Sequence, residues 1–108
     1  MAAVSDADVE RVRGFVAAIP SGRVATYGDL AELAGLSNPR IVGWIMRTDS
    51  SDLPWHRVIG VSGAPATHLR ERQLTELRAE GVPIRDGKVQ MRIARLSAEE
   101  LAELTGPG

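Results

Sequence analysis

Two short capped segments, separated by one glycine turn, constrain this chain more than any other feature. Thr26 precedes a short apolar run and has Asp29 three residues on, the spacing of a helix N-cap with its partner. Ala25 and Leu30 stand where a hydrophobic staple would sit, and Leu30, Leu33 and Ala34 form the inner edge of the predicted helix. Gly35 supplies the left-handed position that ends it. After Leu36 and Ser37, Asn38 can cap another helix with Pro39 at its first position, and Ile41, Val42, Ile45 and Met46 fall on one face of it. Two short helices joined this tightly are a helix-turn-helix pattern. Paired helices of this kind occur in many folds that never touch nucleic acid, so the pattern alone sets an architecture and leaves the activity open.

The remainder of the chain frames that unit. Ser5 and Asp8 have capping-box spacing ahead of Val9, Val12, Val16 and Ile19, and Pro20-Ser21-Gly22 stops the run. Thr48 to Leu53 is a polar connection, after which Pro54 predicts an extended entry and Val58-Ile59 a short strand. Residues 60–67 read as a loop. A fourth helix, with Leu69, Leu74 and Leu77 apolar, runs to about Glu80 and stops at Gly81-Val82-Pro83. Arg85-Asp86-Gly87-Lys88 is a hairpin turn between Pro83-Ile84 and Val89-Gln90-Met91. Ser97 and Glu100 cap a last helix over 97–104 that carries Leu101 and Leu104. The expected fold is mainly α with a small β ribbon, a winged-helix-like helix-turn-helix domain. At 108 residues it forms one domain over 1–108.

Composition narrows the chemistry. The chain has no cysteine, so disulfides, cysteine-ligated zinc or iron–sulfur sites and thiolate nucleophiles are excluded. His56 and His68 lack the spacing of a helical zinc site, and neither a metal nor another cofactor is expected. No apolar run is long enough to cross a bilayer and the first residues lack a secretory apolar segment, which predicts a cytoplasmic protein with no membrane partner. The net charge of -1 is unevenly spread: residues 56–95 carry eight basic side chains against four acidic ones. That excess suits either a phosphate-facing surface or a solvated face.

Four stretches then coincide in order: Ile-Pro-Ser-Gly-Arg-Val-Ala-Thr-Tyr-Gly-Asp-Leu-Ala at 19–31, Arg-Ile-Val-Gly-Trp at 40–44, Pro-Trp-His-Arg-Val-Ile at 54–59, and Ala-Glu-Gly-Val at 79–82. Over about residues 9–91 the chain resembles the C-terminal, DNA-binding domain of the O6-alkylguanine-DNA alkyltransferases. It is most similar to the alkyltransferase-like proteins, in which the acceptor cysteine of Pro-Cys-His-Arg-Val is replaced. The resemblance implies that Trp55 occupies the nucleophile's place and that His56 and Glu80 stand at the two relay positions that would withdraw a thiol proton. Indole has no lone pair suited to attack on an alkyl carbon, so alkyl transfer is excluded and no catalytic residue is expected. His56 and Glu80 are then a vestigial relay, read either as a mutually satisfying polar pair or as the machinery of a residual hydrolase.

The resemblance further implies minor-groove docking of the second helix of the helix-turn-helix, with Arg40 inserted into the duplex and Tyr27 pressing on the backbone of a flipped nucleotide. Gly43 would let that helix approach closely, and Arg57 joins these as a DNA-binding candidate. Trp55, Met46, Val58 and His68 would line the lesion pocket, with Arg70 as the next candidate after His68. The implied function is non-enzymatic recognition of O6-alkylguanine in double-stranded DNA by base flipping. The implied setting is a monomer, nucleoid-associated in a bacterium, that hands damage to nucleotide excision repair proteins. A helix-turn-helix transcriptional regulator and a protein-interaction module without lesion recognition are the alternatives.

Overall fold

The computed structural model describes residues 4–106. Helix α1 spans Asp6–Ala18 and opens with a complete capping box, in which the Ser5 hydroxyl accepts from the Asp8 amide at 3.0 Å and the Asp8 carboxylate accepts from the Ser5 amide at 3.1 Å. Strand β1 (Ala25–Thr26) leads directly into α2 (Tyr27–Ala34). Thr26 caps α2 through its hydroxyl, 3.0 Å from the Asp29 amide, but the Asp29 carboxylate does not return to the cap. It is buried and takes a bidentate pair of 3.0 Å hydrogen bonds from Arg95, far along the chain.

Gly35 ends α2 at φ 73°, and the Leu36 amide turns back to the Ala31 carbonyl at 2.8 Å, satisfying an acceptor the helix end would leave open. Asn38 caps α3 (Pro39–Thr48) by accepting from the Arg40 amide at 2.9 Å. Both helices of the expected pair are therefore present, with caps and turn as the sequence indicates.

Beyond α3, Trp55–Arg57 forms a single 3-10 turn closed by the Arg57 amide on the Pro54 carbonyl at 3.0 Å, which replaces the extended entry expected at Pro54. Strand β2 (Val58–Ile59) follows and pairs in parallel with β1, Ala25 opposite Val58 and Thr26 opposite Ile59. A second 3-10 turn at Thr67–Leu69 introduces α4 (Arg70–Ala79). Strands β3 (Ile84–Arg85) and β4 (Lys88–Val89) form the hairpin, turning at Asp86 (φ 53°) and Gly87 (φ 74°), the positive pair that a two-residue turn requires. The expected extension of the second strand through Gln90 and Met91 is absent. The Ile93 and Ala94 amides both return to Gln90, which starts helix α5 (Met91–Ala94) instead. Helix α6 (Ala98–Thr105) carries the second complete capping box, Ser97 with Glu100. Leu101 is fully buried beneath it, whereas Leu104, on its other side, stands half exposed.

Two cores flank the parallel pair, and the alternation of side chains along a strand sorts residues between them. Ala25 and Val58 face one way, toward Val12, Val16 and Ile19 of α1, Leu30 and Ala34 of α2, Val42 and Ile45 of α3, and Leu96 and Leu101. Val24 and Ile59 face the other way, toward Leu77, Val82, Val89 and Ala94. Each fully buried Leu, Ile or Val contributes about 1.5–3 kcal/mol relative to exposure. The larger core fixes α3 by its inner face and leaves its outer face free. The smaller core anchors α4 and the hairpin beside the Trp55 turn. Among the described residues no helix is long and apolar enough to cross a membrane.

Candidate nucleic-acid interface

The Trp55–Arg57 turn is held from behind by polar contacts. Gln73, buried in α4, donates from its side-chain amide to the carbonyls of His56 at 3.0 Å and Val58 at 2.9 Å. His56 Nε2 lies 3.0 Å from a Glu80 carboxylate oxygen. The Arg57 guanidinium grips the same carboxylate, with Nη2 at 2.5 Å and Nε at 3.0 Å, and donates through Nη1 to the Ile19 carbonyl at 2.7 Å. Arg57 chiefly, and His56 after it, bring the Glu80 carboxyl down to about 2 against the opposing effect of burial. Glu80 at the end of α4, Ile19 at the end of α1 and the Trp55 turn are thereby locked together.

In front of the turn lies an open cleft of about 650 Å³, bounded by α2, α3, the 48–51 connection, the Trp55 turn and the start of α4. That volume is within the range of small-molecule sites. Tyr27, Gly43, Met46, Trp55, Val58 and His68 all line it, so the structure brings together six of the residues singled out from the sequence. Trp55 is half-buried, its ring edge-on to the His56 imidazole with centroids 6.0 Å apart. The Arg72 guanidinium lies over the indole, 5.1 Å from its centroid, a cation–π arrangement. Burial raises the Tyr27 phenol above its ordinary 10, with nearby Arg47 opposing, so its hydroxyl remains a donor at neutral pH.

Arg40 does not line this cleft. It borders an adjoining hollow of about 510 Å³ with Tyr27, Pro39, Gly43 and Arg47. Tyr27, Gly43 and Arg47 are common to both, and a Cβ added at Gly43 would meet no other group within 4 Å. Arg57 lines neither hollow, because its guanidinium faces inward to Glu80 and Ile19. Arg70 also lies elsewhere, its guanidinium against Gly87 of the hairpin turn.

Sequence reasoning missed Gln73, Arg72 and Arg47. Gln73 had a readable signal: it lies between Leu69 and Leu77 at four-residue spacing, where an apolar stripe expects another leucine and a buried amide must find partners. Arg72 and Arg47 carry no such signal, since a helical arginine reads equally as solvated. Arg13 of α1 reaches the connection at the cleft's edge, with Nη1 2.7 Å from the Asp49 carbonyl and Nη2 2.5 Å from the Asp52 carboxylate. It thus pairs with both acids of that connection, and the Asp52 carboxyl is held below its ordinary value chiefly by the pairing with Arg13.

Fold and site together define a helix-turn-helix DNA-binding domain with an aromatic-lined cleft at the shoulder of its second helix. Residues 9–82 match the DNA binding domain of 6-O-methylguanine DNA methyltransferase, and the chain belongs to that family. It is 43% identical over 84 residues to the DNA base-flipping protein of Escherichia coli (strain K12), an alignment covering 73% of this chain and 65% of that relative's length. It is 37% identical over 81 residues to alkyltransferase-like protein 1 of Schizosaccharomyces pombe, covering 68% of this chain and 75% of the relative. The crystal structure of S. pombe Atl1 in complex with damaged DNA containing O6-carboxymethylguanine superposes with a TM-score of 0.78 at 30% identity, covering 86% of this chain and 97% of that one. A further structure of the S. pombe protein with DNA gives a TM-score of 0.79 over the same shares.

Proposed function

We propose that this protein binds duplex DNA through α3 and holds a flipped O6-alkylated guanine in the cleft against Trp55, without chemical transfer. The observation that carries the reading is the placement of that cleft. It opens directly beside the exposed face of α3, is large enough for a base, and presents an indole where a family nucleophile would stand, in a chain without cysteine. Arg40, one hollow away, is the group that enters the stack in place of the extruded base, where its planar guanidinium stacks and hydrogen-bonds the orphaned partner. Tyr27, between the two hollows, supports the displaced backbone with its hydroxyl as donor. Met46 and Val58 supply the apolar floor for the alkyl group, and His68 stands exposed at the rim beside the base.

His56, Arg57 and Glu80 serve in this reading as the support of the Trp55 turn. A carboxylate gripped by an arginine and a histidine, and brought down to about 2, is a weak base, which favours a structural role over hydrolysis. Flipping a base costs a few kcal/mol, least where pairing is already damaged, so the lesion assists its own selection. Burial of each further methylene adds ~0.8 kcal/mol, so larger alkyl groups bind more tightly. The complex is reversible, and the held lesion is passed to nucleotide excision repair by a monomeric protein in the cytoplasm.

The test is a fluorescence titration at one fixed salt concentration against two matched duplexes, one with a single O6-methylguanine and one with guanine. The expected outcome is tighter binding to the lesion, with every methyl group recovered intact on the DNA. Equal affinity for both duplexes would sink lesion recognition.

A further inference from the structure

The function proposed above uses Arg40 and the cleft, but leaves unexplained the most exposed aromatic surface of the described chain. Trp44 of α3 stands 48% exposed and belongs to neither core. At about 100° per residue it projects within roughly 40° of Arg40, and Arg47 lies about 20° to the other side of Arg40. Val42 and Ile45 hold the opposite face in the core. The outer surface of α3 is therefore arginine, tryptophan, arginine. Among the described residues neither arginine's side chain makes a hydrogen bond or ion pair, Arg40 engaging its cap through the backbone amide alone. An indole left in water between two uncommitted guanidinium groups is a surface suited to a polyanion that also offers flat apolar walls, which describes a nucleic-acid groove.

We infer that Trp44 is a second, lesion-independent DNA contact. This rests on the docking of α3 proposed above and adds to it a separate role. Four residues along a helix is a rise of about 6 Å, and duplex DNA rises about 3.4 Å per base pair. With α3 lying along the groove, Trp44 falls about two base steps from the nucleotide displaced by Arg40, on undamaged DNA. The minor groove is only about 6 Å wide, so the indole enters edge-first, against the deoxyribose walls and base edges. Trp44 thus sets affinity for any duplex, while Trp55 sets preference for the lesion.

The experiment compares the full chain with Trp44→Ala, Trp44→Phe, Arg40→Ala and Arg47→Ala on the two duplexes described above, across a salt series, with thermal melts to verify folding. Trp44→Ala is expected to weaken binding to both duplexes by the same factor, about fivefold or more, as for loss of one large apolar contact. The slope of log affinity against log salt should stay unchanged, because no phosphate contact is lost. Trp44→Phe should recover most of the affinity. Arg47→Ala should instead reduce that slope by about 1. In a Trp55→Phe background, emission from Trp44 should be quenched equally by damaged and undamaged DNA. Wild-type affinity of Trp44→Ala for both duplexes, or a loss confined to the lesion duplex, would overturn the inference. If Arg40→Ala and Arg47→Ala weaken plain-duplex binding while Trp44→Ala does not, only the role of Trp44 fails. If all three leave binding intact, the docking of α3 itself is wrong.

Discussion

Trp55 owes its position to the residues behind it as much as to its own contacts. The indole offers a flat face toward the cleft, Arg72 covers part of it, and the backbone of its turn is held by Gln73. Trp55→Ala is expected to reduce the ratio of lesion to plain-duplex affinity about tenfold, on the order of one base–aromatic stack, as read in paired titrations. Glu80 makes a different prediction. Its carboxyl is lowered from 4.5 to about 2 in the folded protein, so the stabilisation it contributes is fully present above about pH 4.5 and is lost as pH falls toward 2. Glu80→Gln should cost about 2–3 kcal/mol at neutral pH, somewhat less than for breaking a fully buried pair. It should also flatten the loss of stability across that acid window in denaturant titrations.

At the scale of elements, the two-helix unit depends on its punctuation. Gly35 has φ 73° with nothing near its missing Cβ, so Gly35→Ala incurs backbone strain without a clash and should lower stability by about 1 kcal/mol in urea unfolding. These caps were legible in the sequence because each rests on residues within three or four positions. The Pro54–Ile59 motif was legible because its residue types are unusual together. The β1–β2 pair was not: two-residue strands have no periodicity, and their partners are separated by α2, α3 and the polar connection. The same distance hid the Asp29–Arg95 clasp. Asp29 stands at the spacing of a helix cap partner, and only the folded chain brings a guanidinium to its carboxylate. Within the cleft, the lining from α3 and the Trp55 turn was readable and the lining from α4 was not.

For the molecule as a whole, net charge is a poor guide to its preferred face. Asp49 and Asp52 are neutralised from behind by Arg13, while among the described residues Arg40 and Arg47 remain uncommitted on α3 and Arg72 lines the cleft. A chain at -1 therefore presents a local cationic strip. Each phosphate it neutralises should contribute about -0.9 to the slope of log affinity against log salt.

The final segments bear on a different matter. Leu96 and Leu101 belong to the same core as Val12 and Val16, and the Val24 carbonyl accepts from the Leu96 amide at 2.8 Å. The first helix thus has no finished surface to close against until the last one exists. During synthesis, at roughly 5–20 residues per second, the helix-turn-helix must wait on the ribosome with part of its apolar underside uncovered for several seconds. Nascent chains stalled after Val82 should be cut readily by protease, and the full chain released from the ribosome, with Leu101 free to close the core, should resist.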